Sequence, residues 1–202
     1  VVQPGLLGAR QHVGAQPQPR LEAQEADVGS PRRQRDQEAA LAGADIGVAP
    51  FDVAEQDDID TWAHTYAELS RRQQSFDELA AFYARTANVV GPDGVPERYR
   101  GAWMTANTLR LLKVAPAMGR DFSDEESRPG AAPVVLIGHK VWQERFQGAR
   151  DVVGQPLRVN GTVMTVVGVM PEKFAFPQTQ DIWIAATIDP ELKQGDRQRY
   201  EV

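Results

Sequence analysis

Three histidines, His12, His64 and His139, are the only imidazoles in the chain, and none stands in a His-Glu-x-x-His or comparable metal-ligand spacing. His12 lies in a segment without apolar periodicity, His64 lies beside Trp62, and His139 marks a strand-to-helix corner. Each reads as a structural residue rather than a base or ligand. Carboxylates gather at Asp57-Asp58 and Asp124-Glu125-Glu126, with Asp181 apart, so an acid/base pair is allowed by residue type. The two clusters fall where helix starts are expected, and there the helix dipole and capping account for negative charge. Serines occur at Ser30, Ser70, Ser75, Ser123 and Ser127, none within Gly-x-Ser-x-Gly or Ser-x-x-Lys. No Gly-x-x-x-x-Gly-Lys-Ser/Thr or Gly-x-Gly-x-x-Gly turn is present to cradle a phosphate, so the chain is not itself an ATPase. Cysteine is absent, which removes disulfides, thiolate nucleophiles and cysteine-ligated metals. The expectation is therefore no enzyme: no catalytic residue, no cofactor-binding residue and no metal ligand.

Charge and hydropathy narrow the remaining classes. Against 28 Asp and Glu stand 22 Lys and Arg, and no basic block exceeds Arg32-Arg33 followed by Arg35. Neutralising a phosphate backbone needs a concentrated basic surface, so a nucleic-acid partner is not expected. The tryptophans Trp62, Trp103, Trp142 and Trp183 are spread one per predicted element, which suits core anchors better than a stacking platform. No stretch approaches the ~20 apolar residues that cross a bilayer, and no basic segment leads into an apolar run at the start. The chain begins at Val1 and has no methionine before Met104, so it is expected to be a piece or a processed form of something longer. At 202 residues one self-sufficient core is the default.

The elements that must position these residues follow from spacing. Residues 1–50 hold no Phe, Trp or Tyr and are rich in Ala, Gly, Gln, Arg and Pro, so they read as disordered, with a weak helix over 34–41, or as a sequence foreign to the following domain. From Asp60, a plausible N-cap, Trp62, Tyr66 and Leu69 recur at helical spacing and predict about three turns of helix. Ser75-Phe76-Asp77-Glu78 has capping-box form and predicts a second short helix carrying Leu79, Phe82 and Tyr83 inward. One continuous helix is the alternative, since Trp62, Leu69, Phe76 and Tyr83 lie seven apart. Residues 84–104 read as a strand, a loop at Gly91-Pro92-Asp93-Gly94 and a second strand. Thr105 then caps a helix bearing Leu109 and Leu112 that must end before Pro116. Ser123-Asp124-Glu125-Glu126 repeats the capping box ahead of Pro129. Val134-Val135-Leu136-Ile137 predicts a strand covered on both faces, followed by a helix with Val141, Trp142 and Phe146. Asn160-Gly161, between apolar runs, predicts a hairpin with a type I′ turn. Phe174-Ala175-Phe176-Pro177 and Asp181-Ile182-Trp183-Ile184 read as an aromatic-anchored loop and a last strand.

In series, Arg100-Gly101-Ala102, Pro116-Ala117-Met118-Gly119-Arg120-Asp121-Phe122, Pro133–Ile137, Val141-Trp142-Gln143-Glu144-Arg145-Phe146, Val159-Asn160-Gly161, Val166-Val167-Gly168-Val169-Met170-Pro171 and Phe174-Ala175-Phe176-Pro177 resemble the periplasmic core domain of MacB-type ABC-transporter permeases. The likeness covers about residues 57–190 and is closest to the group of permeases with duplicated halves. It implies an α+β, two-lobed domain outside the cytoplasmic membrane, between the first transmembrane helix and the others. It implies no chemistry of its own: a separate cytoplasmic ATPase would move the membrane helices and, through them, the lobes, exporting substrate by mechanotransmission. The partners implied are that ATPase subunit through membrane helices outside this chain, a membrane-fusion protein and a second permease copy. Residues 51–202 are then a partial core domain whose first lobe is incomplete at the C-terminus, and residues 1–50 resemble neither the family's transmembrane helix nor its strand-forming lead. A free-standing extracytoplasmic ligand-binding or adhesion module is the alternative, with an enzyme third.

Overall fold

The structure, a computed structural model, describes residues 5–9, 46–50, 59–90 and 94–188. In chain order the elements are strands β1 (Gly5–Ala9) and β2 (Ile46–Pro50), helix α1 (Ile59–Arg72), strands β3 (Glu78–Val90) and β4 (Pro96–Met104), and the short helix α2 (Thr108–Leu111). There follow β5 (Met118–Gly119), a 3-10 turn at Asp124–Ser127, β6 (Val134–Ile137), α3 (His139–Phe146), β7 (Pro156–Val159), β8 (Thr162–Val169) and β9 (Ile182–Ala185). The α+β class expected from the sequence is the class observed.

Two segments expected to be disordered are strands. β1 lies between β2 and β3, antiparallel to both, with Leu7 fully buried. A strand can draw its pairing from an edge that a neighbour presents, so five residues without an aromatic suffice. The remainder of residues 1–50, including the helix expected over 34–41, lies outside the described residues.

Helix α1 ends at Arg72 with the basic pair Arg71 and Arg72 in its last turn, favourable to the helix dipole. It begins at Ile59, which puts Asp60 inside the first turn rather than at the N-cap. The second helix expected from Ser75 does not form. Gln73 instead closes a turn, its side chain donating to the Phe76 carbonyl at 3.0 Å and accepting the Phe76 N–H at 2.8 Å, and the chain continues as β3. The capping-box glutamate is engaged elsewhere, since Glu78 meets Arg110 at 2.6 Å. The helical spacing of Leu79, Phe82 and Tyr83 was misleading because β3 buries both faces: Ala80 and Phe82 enter one core cluster, Ala81 and Tyr83 another. A strand covered on both sides shows no alternation.

Six strands hydrogen-bond in a closed circuit. β3 pairs antiparallel with β4, β4 parallel with β9, β9 antiparallel with β6, β6 parallel with β8, β8 antiparallel with β7, and β7 antiparallel with β3. The parallel neighbours β6 and β8 require a crossover, supplied by α3 and β7. One face of the circuit buries Val135, Ile137, Leu157, Val159, Val166, Ile182 and Ile184, with Val141 of α3 packed among them. The opposite face gathers Phe82, Met104, Leu109, Leu136 and Trp183, covered by α2, Phe122 and the loop carrying Phe174 and Phe176. Trp183 is fully buried, and its indole N–H donates to the Phe176 carbonyl at 2.7 Å, so the aromatic-anchored loop is fastened from inside the core.

The turn between β7 and β8 is the type I′ turn expected, with φ of 49° at Asn160 and 89° at Gly161. A β-branched residue strongly resists positive φ. Gly161→Val is expected to destabilise the chain by at least about 1 kcal/mol, read as a lowered urea midpoint at constant m. An unchanged midpoint would mean that the turn tolerates another geometry.

Candidate interaction surface

The residues singled out by type do not converge. His64 is half-buried on α1, and its Nδ1 has no hydrogen-bond partner among the described residues. His139 opens α3 with its ring edge-on to Trp142 at 5.3 Å. Asp181 is a strand clamp: its Oδ2 accepts the Arg100 N–H at 3.1 Å and its carbonyl accepts the Gly138 N–H at 2.7 Å. Asp124 and Glu125 are exposed in the 3-10 turn, whereas the Glu126 carboxylate accepts the Ser123 N–H at 2.8 Å and pairs with Arg120 at 2.6 Å. Burial alone would raise the Glu126 pKa, but the hydrogen bonds from Arg120 and Ser123 hold it below the ordinary carboxylate value. His12 and Asp57-Asp58 lie outside the described residues. Among the described residues no group of three His, Asp or Glu side chains could hold a metal ion.

The polar side chains that do converge pin strands together. Thr105, expected to cap α2, continues β4 instead: its N–H donates to the Ala81 carbonyl at 3.0 Å and its hydroxyl accepts the Ala81 N–H at 3.1 Å. Beside it, the Asn107 amide and the Tyr66 hydroxyl both donate to the Leu79 carbonyl, at 2.9 and 3.1 Å. A second knot joins α3 to the β3–β4 hairpin. The Arg145 side chain is only 8% exposed; its Nη2 meets Glu97 Oε2 at 2.6 Å, and its Nε donates to the Tyr99 hydroxyl at 3.1 Å. That hydroxyl in turn donates to Glu97 Oε2 at 2.7 Å. Sequence reading missed this knot. The available signal was Arg145 four residues after Val141, which puts a charge on the buried face of a short helix.

Burial, reinforced by donation to the Glu97 carboxylate, pushes the Tyr99 pKa up to about 12, with Arg145 opposing. Such a phenol is a poor acid or base near neutrality.

An open groove of about 610 Å³ lies between β3, the end of α3 and the β7–β8 hairpin. Val90, Phe146, Val152, Pro156 and Val163 supply apolar walls, and Asp151 and Arg158 supply charge. Val163 is 50% exposed, unusual for a strand residue of its type.

A strand circuit whose polar residues fasten neighbouring strands to one another defines a domain of α+β type. The family model described as the MacB-like periplasmic core domain matches residues 27–200. The chain belongs to that family, a permease domain of ABC transporters rather than a catalytic domain. The match begins within the segment read as foreign to the family. Two relatives are each named "Macrolide export ATP-binding/permease protein MacB". The protein from Nitrosomonas europaea is 38% identical over 65 residues, covering 32% of this chain and 10% of that protein. The protein from Bdellovibrio bacteriovorus is 40% identical over 67 residues, covering 33% and 10%. The aligned stretch thus spans about a tenth of the relatives' length. The fold is also similar to the crystal structure of the periplasmic region of MacB from Actinobacillus actinomycetemcomitans, with a TM-score of 0.52 and 8% identity over 91% of this chain and 64% of that one. Among the described residues no helix is long and apolar enough to cross a membrane.

The knot predicts a pH window. Because the folded-state pKa of Tyr99 lies above its unfolded value, near 10, the folded chain retains this proton where the unfolded chain loses it. The contribution to stability is complete below pH ~10 and disappears as pH rises through about 12. Glu97→Gln removes the anion that the phenol serves, so phenolate absorbance in that variant should rise at lower pH than in the parent. Superimposable titrations would show that Tyr99 does not sense Glu97.

Proposed function

We propose that this chain is the extracytoplasmic part of an ABC-type efflux permease and couples ATP-driven movement of membrane helices to substrate export. The observation that carries the reading is the family match over 27–200. In support, the polar residues that meet in the fold hold strands in register, as a body that transmits displacement requires. On this reading membrane helices outside the present sequence hold the domain on the periplasmic or extracellular face. The motor is a cytoplasmic ATPase subunit, and a second permease copy and a membrane-fusion protein are the further partners. No side chain performs a chemical step, and no cofactor or metal is needed.

The groove beside Val163 favours a second reading, a ligand-binding module of the same fold, because an open apolar concavity is what such a module presents. Reading the DNA that flanks the coding segment separates the two: apolar spans in the same frame support the permease.

In the full-length permease, His64→Ala, His139→Ala and Asp181→Asn should each leave ATP-dependent transport within a few-fold of the parent. Trp183→Ala should abolish it by unfolding the domain, since emptying a buried tryptophan site costs about 3–5 kcal/mol. Trp142, half-buried and donating to the Ala149 carbonyl at 2.8 Å, should cost less. Loss of transport from one of the polar variants, with the protein folded and inserted, would replace the mechanical reading by a specific site at that residue.

A further inference from the structure

The six-strand circuit is not equally secure around its length. The β3–β4 joint runs through nine residue pairs from Phe82 with Met104 to Val90 with Pro96. The β7–β3 joint consists of two, Val89 with Val159 and Val90 with Arg158. The β6–β9 joint is also short, but its pairs are Val135 with Ile184, Leu136 with Trp183 and Ile137 with Ile182, nearly all of them fully buried. At the β7–β3 joint Val89 and Val159 face the core, while Arg158 and the flanking Asn88 and Asn160 are exposed.

Beyond those two pairs a side chain takes over. The Asn160 N–H donates to the Asn88 carbonyl at 2.8 Å, and its Oδ1 accepts the Asn88 N–H at 2.8 Å. Asn160 therefore has two duties: it adopts the positive φ of the turn, and it clasps β3. On the outer side, Val90, Pro156, Arg158 and Val163 are walls of the 610 Å³ groove, so among the described residues no further layer backs the joint there.

We propose that the β7–β8 hairpin is a strap that releases from β3 at this joint as a local event, while the rest of the circuit stays closed. Local opening follows low burial and solvent access to the hydrogen bonds, and both coincide here. Release opens the groove toward the core residues Val89 and Val159. β3 also carries β1 and β4, so displacement reaching β3 from either neighbour acts on the strap. This inference does not depend on the transporter reading.

Native-state hydrogen exchange on the full chain, with its Asn160→Gly variant, tests the strap. Glycine keeps the positive φ and removes the side-chain clasp, and its added chain entropy is spread over every amide that exchanges by global unfolding rather than confined to Asn88. In the parent, the Asn88 and Asn160 amides should exchange at least tenfold faster than the Met170 amide, which donates to the Ile137 carbonyl at 2.8 Å inside the circuit. In the variant, exchange at Asn88 should quicken a further tenfold or more, with Met170 unmoved. Equal protection of Asn88 and Met170 in the parent would overturn the proposal, as would a variant in which both quicken together or neither changes.

Discussion

Residues 80–83 of strand β3 sit with both faces in core, and a buried strand must pair its backbone groups along both edges. That requirement organises the molecule. On one edge β4 serves residues 82–90, and where β4 ends, Thr105, Asn107 and Tyr66 supply the partners for Leu79 and Ala81. On the other edge β1 serves residues 78–82 and the β7 hairpin serves residues 88–90. Unpaired buried amides and carbonyls cost about 1–3 kcal/mol each, so these side chains are as much part of the sheet as its strands.

A similar constraint shapes β8, which runs between β6 and the pair β5 and β7. Its register against β6 shifts between Val135 and Leu136, leaving Val167 as an extra residue that turns its carbonyl toward the Arg120 N–H at 2.9 Å. Gly168 permits the approach of β5, because a Cβ there would lie 2.7 Å from the Met118 carbonyl oxygen. Parallel pairing of β6 and β8 in turn forces the chain across the sheet through α3, and Arg145 on that helix is fastened to Glu97 and Tyr99 of β4. Removing Glu97 would take the carboxylate from Arg145, whose side chain is only 8% exposed, a larger loss than an exposed ion pair would suffer.

Of the polar residues that sequence reading weighed for chemistry, Asp181 and Glu126 hold backbone amides. Thr105 and Asn107, not weighed for chemistry, complete a strand edge. The functional reading accordingly rests on the family match and not on a chemical site.

By itself the sequence determined the elements whose causes are local. Asn160-Gly161 required its turn because few residue pairs accept two positive φ angles, α2 stopped before Pro116, and the apolar run 134–137 became a strand buried on both faces. The serial likeness to a known permease domain was equally legible, from Arg100-Gly101-Ala102 to Phe174-Ala175-Phe176-Pro177. Only the tertiary structure decided the rest. Residues 78–83 carry helical spacing and a capping-box start, yet they form a strand, because pairing with β1 and β4 outweighs a propensity difference of well under 1 kcal/mol per residue. β1 is a strand because β3 offers it an edge, and the Glu97–Tyr99–Arg145 knot and the Asn160 clasp join residues 46 and 72 positions apart. Contacts of that range leave no periodic trace in a chain, since the hydrogen bonds that fix them exist only after the strands have met.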